Sequence, residues 1–305
     1  MSNLQQSAEH HHPPACKIPR GVNRGAKLSD HTTMHVGGRA AFLSRPESVG
    51  ELQEHAQWAA AYDLPVFILG GGSNVIFSDD GFPGLILCTQ RLVDERVEKT
   101  WLTAEAGVPL NACVRFASEH GLSGLEWAGG IPGTIGGAVA MNAGAFGEDV
   151  ASVLESVRVL HPDGTIALLR ADELGLGYRT SAFLERTIDG VALEARFALR
   201  TSTVEACEAT VRAILEQRRG KFPQGASSGC IFRNPLAGPT AAELLDRAGC
   251  KGMREGAAYV SELHANFIVN EGRDNARDIL RLMERMEQRV LQVHGRKLQP
   301  EVVLL

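Results

Sequence analysis

Apolar positions along the chain change period several times, and each change marks an element. In residues 47–62 (ESVGELQEHAQWAAAY), Val49, Leu52, Ala56, Ala59 and Ala60 recur at helical spacing. The next stretch, PVFILGGGSNVIFSDDGFPGLILC, breaks into short apolar runs. VFIL and LILC predict buried strands, VIF predicts a short one, and GGGSN reads as a tight hairpin turn. Residues 107–120 return to helical spacing, from Val108 through Val114 to His120, with Gly121 as the stop. Residues 153–170 alternate about Pro162-Asp163-Gly164, as a hairpin does, and VALEARFAL (191–199) predicts one more strand. Beyond about residue 200 the pattern is mainly helical. One helix carries Val204, Cys207, Val211 and Ile214 on one face. A second spans 239–249, with a proline near its start and Gly249 at its end. A third runs from Asn275 to His294, closed by Gly295. There are no internal repeats and no low-complexity segment.

The bulk composition narrows the class. A chain of 305 residues, 44% apolar and 22% charged, has the make-up of an ordinary globular protein large enough for two or three subdomains. A net charge of -5 argues against general nucleic-acid binding. No apolar run reaches the roughly 18–20 residues that cross a bilayer. The first 25 residues, with His10, His11 and His12, read as a disordered leader without a signal-peptide core. Six cysteines, at 16, 88, 113, 207, 230 and 250, form no CxxC pair and no zinc spacing, which fits free thiols in a reducing cytoplasm and no metal site.

Glycine clustering carries more information than glycine content. Gly70-Gly71-Gly72-Ser73-Asn74 follows a strand, and consecutive glycines let backbone amides turn toward an anion. It matches neither GxxxxGK[ST] nor GxGxxG. A second cluster places Gly129, Gly130, Gly133, Gly136, Gly137 and Gly144 within 16 residues, and a helix starting near Thr134 would aim free amides at an anion. Two such loops suit a dinucleotide pyrophosphate held between two lobes.

In chain order, LGGGSNVIFSDDGFPG, GLEWAGGIPGTIGGAVAMNAGAFG, YRTSAF, SSGCIFRNP, HANFIVN and PEVVLL closely resemble the bacterial UDP-N-acetylenolpyruvoylglucosamine reductases, the MurB family, over about residues 28–305. The resemblance implies an α+β chain with an FAD-binding fold of the vanillyl-alcohol-oxidase (PCMH) type in two lobes, plus a C-terminal α+β substrate domain. The expected division is a leader over 1–25, lobe 1 over 26–90, lobe 2 over 91–200 and the substrate domain over 201–305. It also implies an activity: NADPH reduces FAD, which then reduces the enolpyruvyl group of UDP-N-acetylglucosamine enolpyruvate to a lactyl ether in peptidoglycan-precursor synthesis. A cytoplasmic monomer without membrane or nucleic-acid partners is the matching expectation. Only three tyrosines are present, and YRTSAF runs directly into the next predicted strands. This resembles the shorter family type, which lacks a tyrosine-bearing insertion.

Carried over residue by residue, the resemblance places Gly70, Gly71, Gly72, Ser73, Asn74 and Val75 on the cofactor. It places Ile131, Pro132, Gly133, Thr134, Gly136, Gly137, Asn142, Ala143 and Gly144 there too. Tyr178, Lys221, Asn234 and His264 are expected on the substrate. The reaction builds negative charge at the α-carbon and in its carboxylate, so fixed positive donors and one acid are needed. Arg179 suits the first role, since a guanidinium grips a carboxylate with parallel donors. Glu301, beside that charge, is expected to act protonated. Cys230 stands where the family's proton-donating serine stands. A thiol of ordinary pKa near 8.5 can donate only while neutral, so activity is expected to fall as pH rises through that value. An alternative is another flavin oxidase or dehydrogenase of the same fold acting on a sugar or alcohol. Such enzymes often attach the flavin covalently, and His35 before Gly37-Gly38 would be the attachment point. A catalytically inert nucleotide-binding module is a further alternative, disfavoured by Arg179, Glu301 and Cys230.

Overall fold

The computed structural model describes residues 18–273 and 275–305, so the three histidines at 10–12 and Cys16 lie outside the described residues. The chain begins with a sheet of β1 (Val22–Arg24), β2 (Ala40–Ser44), β3 (Val66–Leu69) and β5 (Phe82–Cys88), ordered β1-β2-β5-β3, while β4 (Val75–Ile76) lies apart from it. Strand β1 falls inside the expected leader and pairs antiparallel with β2, with Val22 buried; order therefore begins before residue 26. LILC reads as a continuous apolar run because β5 is covered on both faces. Leu85 and Leu87 pack under α1 (Val49–Ala61) with Phe42 and Trp58, while Ile86 and Cys88 face Leu28, Leu43 and Phe77.

The GGGSN hairpin is not formed. Strand β3 runs parallel to β5, whereas β4 runs parallel to the last strand of the chain. The loop therefore leaves the carboxyl end of a parallel strand, the edge where ligands of open α/β sheets collect.

A second unit contains β6 (Glu95–Glu98), β7 (Trp101–Glu105), α2 (Leu110–Glu119), β8 (Leu122–Ser123), α3 (Ile135–Ala140), β9 (Gly144–Ala145), β10 (Glu148–Asp149), β11 (Leu154–Leu160), β12 (Ile166–Arg170), β13 (Val191–Ala198) and β14 (Arg200–Thr201). Five of these strands form an antiparallel sheet ordered β12-β11-β13-β7-β6. The expected hairpin is β11–β12, with Leu160 opposite Ile166. In β13, Val191, Leu193, Ala195 and Phe197 point inward at every second position, the period of a strand with one buried face. Helix α4 (Val204–Arg218), expected in the substrate domain, packs on α2 and β8 instead, with Val211 against the core of this unit. The helix thus packs with this unit.

The last unit carries α5 (Ala241–Arg247), a three-stranded sheet of β15 (Arg254–Glu255), β16 (Ala258–Val260) and β17 (Ile268–Asn270), then α6 (Ala276–His294) and β18 (Val303–Leu304). Helix α6 buries Ile279, Leu282, Met283, Met286 and Val290, an amphipathic stripe, and ends at Gly295 in the left-handed conformation. This unit is joined to the first at several points. Met34, Val36 and Ile76 enter its core, β18 pairs with β4, and the Ser78 amide donates to Leu305 O at 2.6 Å. Asp79 also reaches across: its carboxylate accepts from the Ala276 amide at 2.6 Å and the Arg277 amide at 3.2 Å, where α6 starts.

A carboxylate on free amides at a helix N-terminus is worth about 1 kcal/mol. Asp79→Ala is expected to lower unfolding free energy by about 1–2 kcal/mol in urea titration. A loss below about 0.3 kcal/mol would show that the cap does not hold the two units together.

Candidate active site

The two glycine loops meet face to face. A Cβ on Gly71 would come within 3.0 Å of the Gly133 Cα, and the Ser73 hydroxyl donates to the Pro132 carbonyl at 3.2 Å. Gly72 sits at φ +64 with its back against the His31 carbonyl, a conformation and a space that only glycine fits. Part of the glycine requirement is therefore loop-on-loop packing. The start of α3 is also less free than its sequence suggests, because the Ile135 and Gly136 amides donate to Val108 O and Ala106 O. Other surfaces remain open. Above Gly137 the nearest atom to a built Cβ is the Thr134 hydroxyl at 3.7 Å, and that hydroxyl is buried without a partner. A cleft of about 530 Å³ runs beside Gly71, lined by His31, Thr33, Arg45, Gln90 and Gly225. His35 is exposed on its rim at φ +56.

Arg179, Glu301 and Cys230 converge from three distant parts of the sequence. Arg179 is at the tip of a tight turn closed by Gly177 and Thr180, at φ +55. Its Nε lies 2.8 Å from Glu301 Oε1, and its Nη2 donates to the Gly144 carbonyl at 2.8 Å. Glu301 is fixed by its backbone: its amide donates to Ile231 O at 2.7 Å, and Asn74 Nδ2 donates to its carbonyl at 3.2 Å. Cys230 lies on a short extended segment between Phe267 on one side and the 299–301 strand end on the other. Of the five described cysteines, it is the one not fully buried.

The electrostatics follow from this convergence. Burial pushes the Cys230 thiol up to about 12, and Glu301 adds to the rise; Arg179, a hydrogen bond from Asn266 and Arg218 oppose it. The thiol is thus neutral throughout the working range, so the alkaline loss expected from an ordinary cysteine does not arise near 8.5. Burial also holds Glu301 above the usual carboxylate range, against the pull of Arg179 and Arg233. Protonation of Glu301 is thus easier than that of an exposed carboxyl.

The remaining candidates divide. Tyr178 lies beside Arg179, with the guanidinium 5.6 Å from its ring, and its hydroxyl accepts the Asn234 amide at 3.3 Å. The Asn234 carboxamide oxygen accepts from the Ala241 amide at the start of α5. Lys221 is exposed just past α4. His264 packs on Phe222 and Phe267, its Nδ1 is buried without a partner, and burial pulls its pKa down, so the ring is neutral. Asn142, expected on the cofactor, commits its carboxamide to Asp149, Gly177 and Ala151. The Asn74 side chain holds Glu301 and touches Met141.

Sequence reading missed Arg218 and Asn266. Arg218, at the end of α4, lies over Phe222 at 4.8 Å, contacts the space above Gly130, and interacts electrostatically with Cys230. Asn266 clamps the Cys230 segment by bonding both Phe232 N and Phe232 O. The basic run RRGK and the extra asparagine of HANFIVN were the available signals.

Buried side-chain polar atoms in folded proteins nearly always have partners. Eight lack one among the described residues, and five of these lie in the segments above: Thr134, Arg179 Nε, Ser228, Arg233 Nε and His264. Arg179 Nε is near Glu301 but poorly aligned with it. Such a concentration marks a ligand site. The Thr134 hydroxyl and the open backbone over Gly137 fit the polar, closely approached cofactor that the glycine loops suggest. Among the described residues, no group of three or more His, Cys, Asp or Glu side chains is placed to hold a metal.

Comparison with known proteins gives a consistent picture. Residues 40–170 match a family model described as an FAD binding domain, and residues 221–305 match the C-terminal domain of UDP-N-acetylenolpyruvoylglucosamine reductase. A reductase of that name from Synechococcus sp. (strain RCC307) is 41% identical over 297 residues, covering 95% of this chain and 96% of the relative. One from Chlamydia abortus is 37% identical over 289 residues, covering 95% and 96%. The crystal structure of the MurB reductase from Thermus caldophilus superposes with a TM-score of 0.79 at 36% identity, covering 93% of this chain and 98% of that one.

Because a buried neutral thiol reacts slowly, alkylation offers a check. With a pKa of about 12, roughly one thiol in ten thousand is ionised at pH 8. Iodoacetamide should label Cys230 at least about a hundredfold more slowly than a free cysteine, read by peptide mass spectrometry. Labelling at the free-cysteine rate would contradict this environment.

Proposed function

The chain belongs to the UDP-N-acetylenolpyruvoylglucosamine reductase family, and from that premise we infer that it reduces UDP-N-acetylglucosamine enolpyruvate to UDP-N-acetylmuramate. It does so as an FAD-dependent oxidoreductase in peptidoglycan-precursor synthesis, with NADPH as reductant. The fold is the two-lobed FAD-binding type with a C-terminal substrate domain. The observation that carries the reading is the Arg179–Glu301 pair at 2.8 Å, electrostatically coupled to the Cys230 thiol.

Bound FAD supplies the two-electron reduction at the substrate's β-carbon. The loops at Gly70–Val75, Ile131–Gly137 and Ala143–Gly144 would hold it, with the Thr134 hydroxyl as a free polar contact. Charge that builds at the α-carbon flows into the substrate carboxylate, beside Arg179. Preorganised positive donors aimed at developing charge are usually the largest catalytic contribution. The Arg179 Nε edge is occupied by Glu301 in the free protein. Protonation of Glu301 weakens that pairing and frees the guanidinium for the incoming carboxylate.

Cys230 then gives its proton to the α-carbon: the S–H bond breaks as the C–H bond forms. The sulfur left behind is a strong base in its buried position and takes a proton back from protonated Glu301, which regains its own from water. Activity therefore requires Glu301 protonated, so it falls as pH rises through the raised pKa of that carboxyl, well before the thiol ionises. Tyr178, Asn234 and His264 line the substrate side, and Lys221 and Arg218 offer cations to the diphosphate or cofactor. The alternative, a flavin held covalently at His35, is distinguished by whether denaturation releases the flavin.

We place the enzyme in the cytoplasm as a monomer serving cell-wall biogenesis. Its nucleotide-linked substrate and nicotinamide reductant belong to that compartment, and the three reacting side chains come from one chain. No helix among the described residues is long and apolar enough to cross a membrane.

The decisive experiment follows NADPH oxidation with and without the enolpyruvyl substrate. Cys230→Ser should keep turnover within about tenfold of wild type. Cys230→Ala should still accept electrons from NADPH but lose product formation by about 10²–10⁴-fold, the usual worth of a positioned acid. Normal turnover by Cys230→Ala would remove the thiol from the mechanism.

A further inference from the structure

Asn142 is 2% exposed and lies at φ +41, an uncommon backbone conformation for a non-glycine residue. Its carboxamide bonds three separate segments. Nδ2 donates to Asp149 Oδ2 at 3.0 Å and to the Gly177 carbonyl at 2.9 Å, and Oδ1 accepts from the Ala151 amide at 2.9 Å. Asp149 is fixed in turn, its Oδ1 accepting from the Ser152 amide at 3.1 Å.

The Gly177 carbonyl is the base of the turn that carries Arg179. Gly177 N donates to Thr180 O and Thr180 N to Gly177 O, leaving Tyr178 and Arg179 at the tip. Arg179 at φ +55 occupies a left-handed backbone region that strains a non-glycine residue, so the turn gains from outside support. That support comes from one short stretch of chain. Asn142 grips the turn at Gly177, and two residues later the Gly144 carbonyl receives Arg179 Nη2.

We propose that Asn142 is a positioning residue for Arg179, acting through the Gly177 carbonyl to keep the guanidinium on Glu301, and not a ligand of the cofactor. This rests on the functional reading given above. The charged and titratable groups facing Glu301 are Arg179 from the turn, Arg233 from the segment after Cys230, and Cys230 itself. Of these, Arg179 is the nearer cation and lowers the Glu301 pKa most. Releasing Arg179 from its post lets that pKa rise further, a change that neither a loss of general stability nor a lost cofactor contact would produce.

The test uses the FAD-loaded protein with two variants. Asn142→Ala removes all three bonds. The exchange Asn142→Asp with Asp149→Asn keeps the 142–149 contact and the acceptor for Ala151 but has no donor for Gly177. Three quantities are read: the FAD dissociation constant, the pH profile of kcat/KM, and a carbon NMR titration of Glu301 assigned with Glu301→Gln. Both variants are expected to keep FAD binding within about threefold, to lose at least about tenfold in kcat/KM, and to shift the Glu301 titration and the basic limb to higher pH. If Asn142→Ala fails to fold, the exchange variant alone decides. Weakened FAD binding by tenfold or more with an unmoved Glu301 titration would overturn the proposal, as would wild-type kinetics in the exchange variant. If the wild type did not turn over the enolpyruvyl substrate, the functional reading would fail, while the Glu301 titration would still test the link from Asn142 to Arg179.

Discussion

Everything in the site depends on one ion pair between residues far apart in sequence, Arg179 and Glu301. A carboxylate and a guanidinium, both mostly withdrawn from water, hold each other in place, while desolvation raises the carboxyl's pKa and so eases its protonation. A fully exposed pair would be screened and carry no such tension. In the proposed mechanism, this partial burial gives Cys230 a neighbour that can return a proton, and gives the substrate carboxylate a cation to displace Glu301 from.

The fold is arranged to make that pair. Glu301 arrives because the last strand, β18, runs beside β4, directly after the first glycine loop, and Asn74 of that loop holds the Glu301 carbonyl. Arg179 arrives on a turn clasped by the stretch that follows the second glycine loop. Cys230 is held between Phe267 and the approach to Glu301, with Asn266 fastening its segment. Arg179, Glu301 and Cys230 are therefore each tied to a glycine loop or to a neighbour of one. The contacts that weld the first and last units together include the Asp79 cap on α6.

Long periodic elements were legible from the sequence. The pattern located α1, α2, α4, α5 and α6, the β11–β12 hairpin, and β3, β5 and β13, because each carries its own hydrophobic period or its own cap. What failed was pairing and ownership. GGGSN looks like a hairpin turn locally, but β3 and β4 go to different partners, and β4 pairs with a strand more than two hundred residues away. Strands of two or three residues, such as β8, β14 and β18, are too short to show a period. Helix α4 has an apolar face that fits either neighbour, so its side of the boundary could not be read. At the site, Arg179, Cys230 and Glu301 were reached through resemblance, and the structure brings them together. Asn74 and Asn142 are different: polar residues beside a glycine loop look like ligand contacts, and their hydrogen bonds to other parts of the chain could not be read from the sequence. Arg218 carries no spacing signal, since its place beside Cys230 is created by tertiary packing.

The most direct measurement replaces the cation of the pair. Arg179→Met, loaded with FAD, is mixed anaerobically first with NADPH and then with the enolpyruvyl substrate while the flavin absorbance is followed. Bleaching by NADPH is expected within about threefold of wild type, and recovery on adding substrate slowed by at least about 10²–10³-fold, the cost of losing a preorganised donor at developing charge. Recovery within about threefold of the wild-type rate would contradict it.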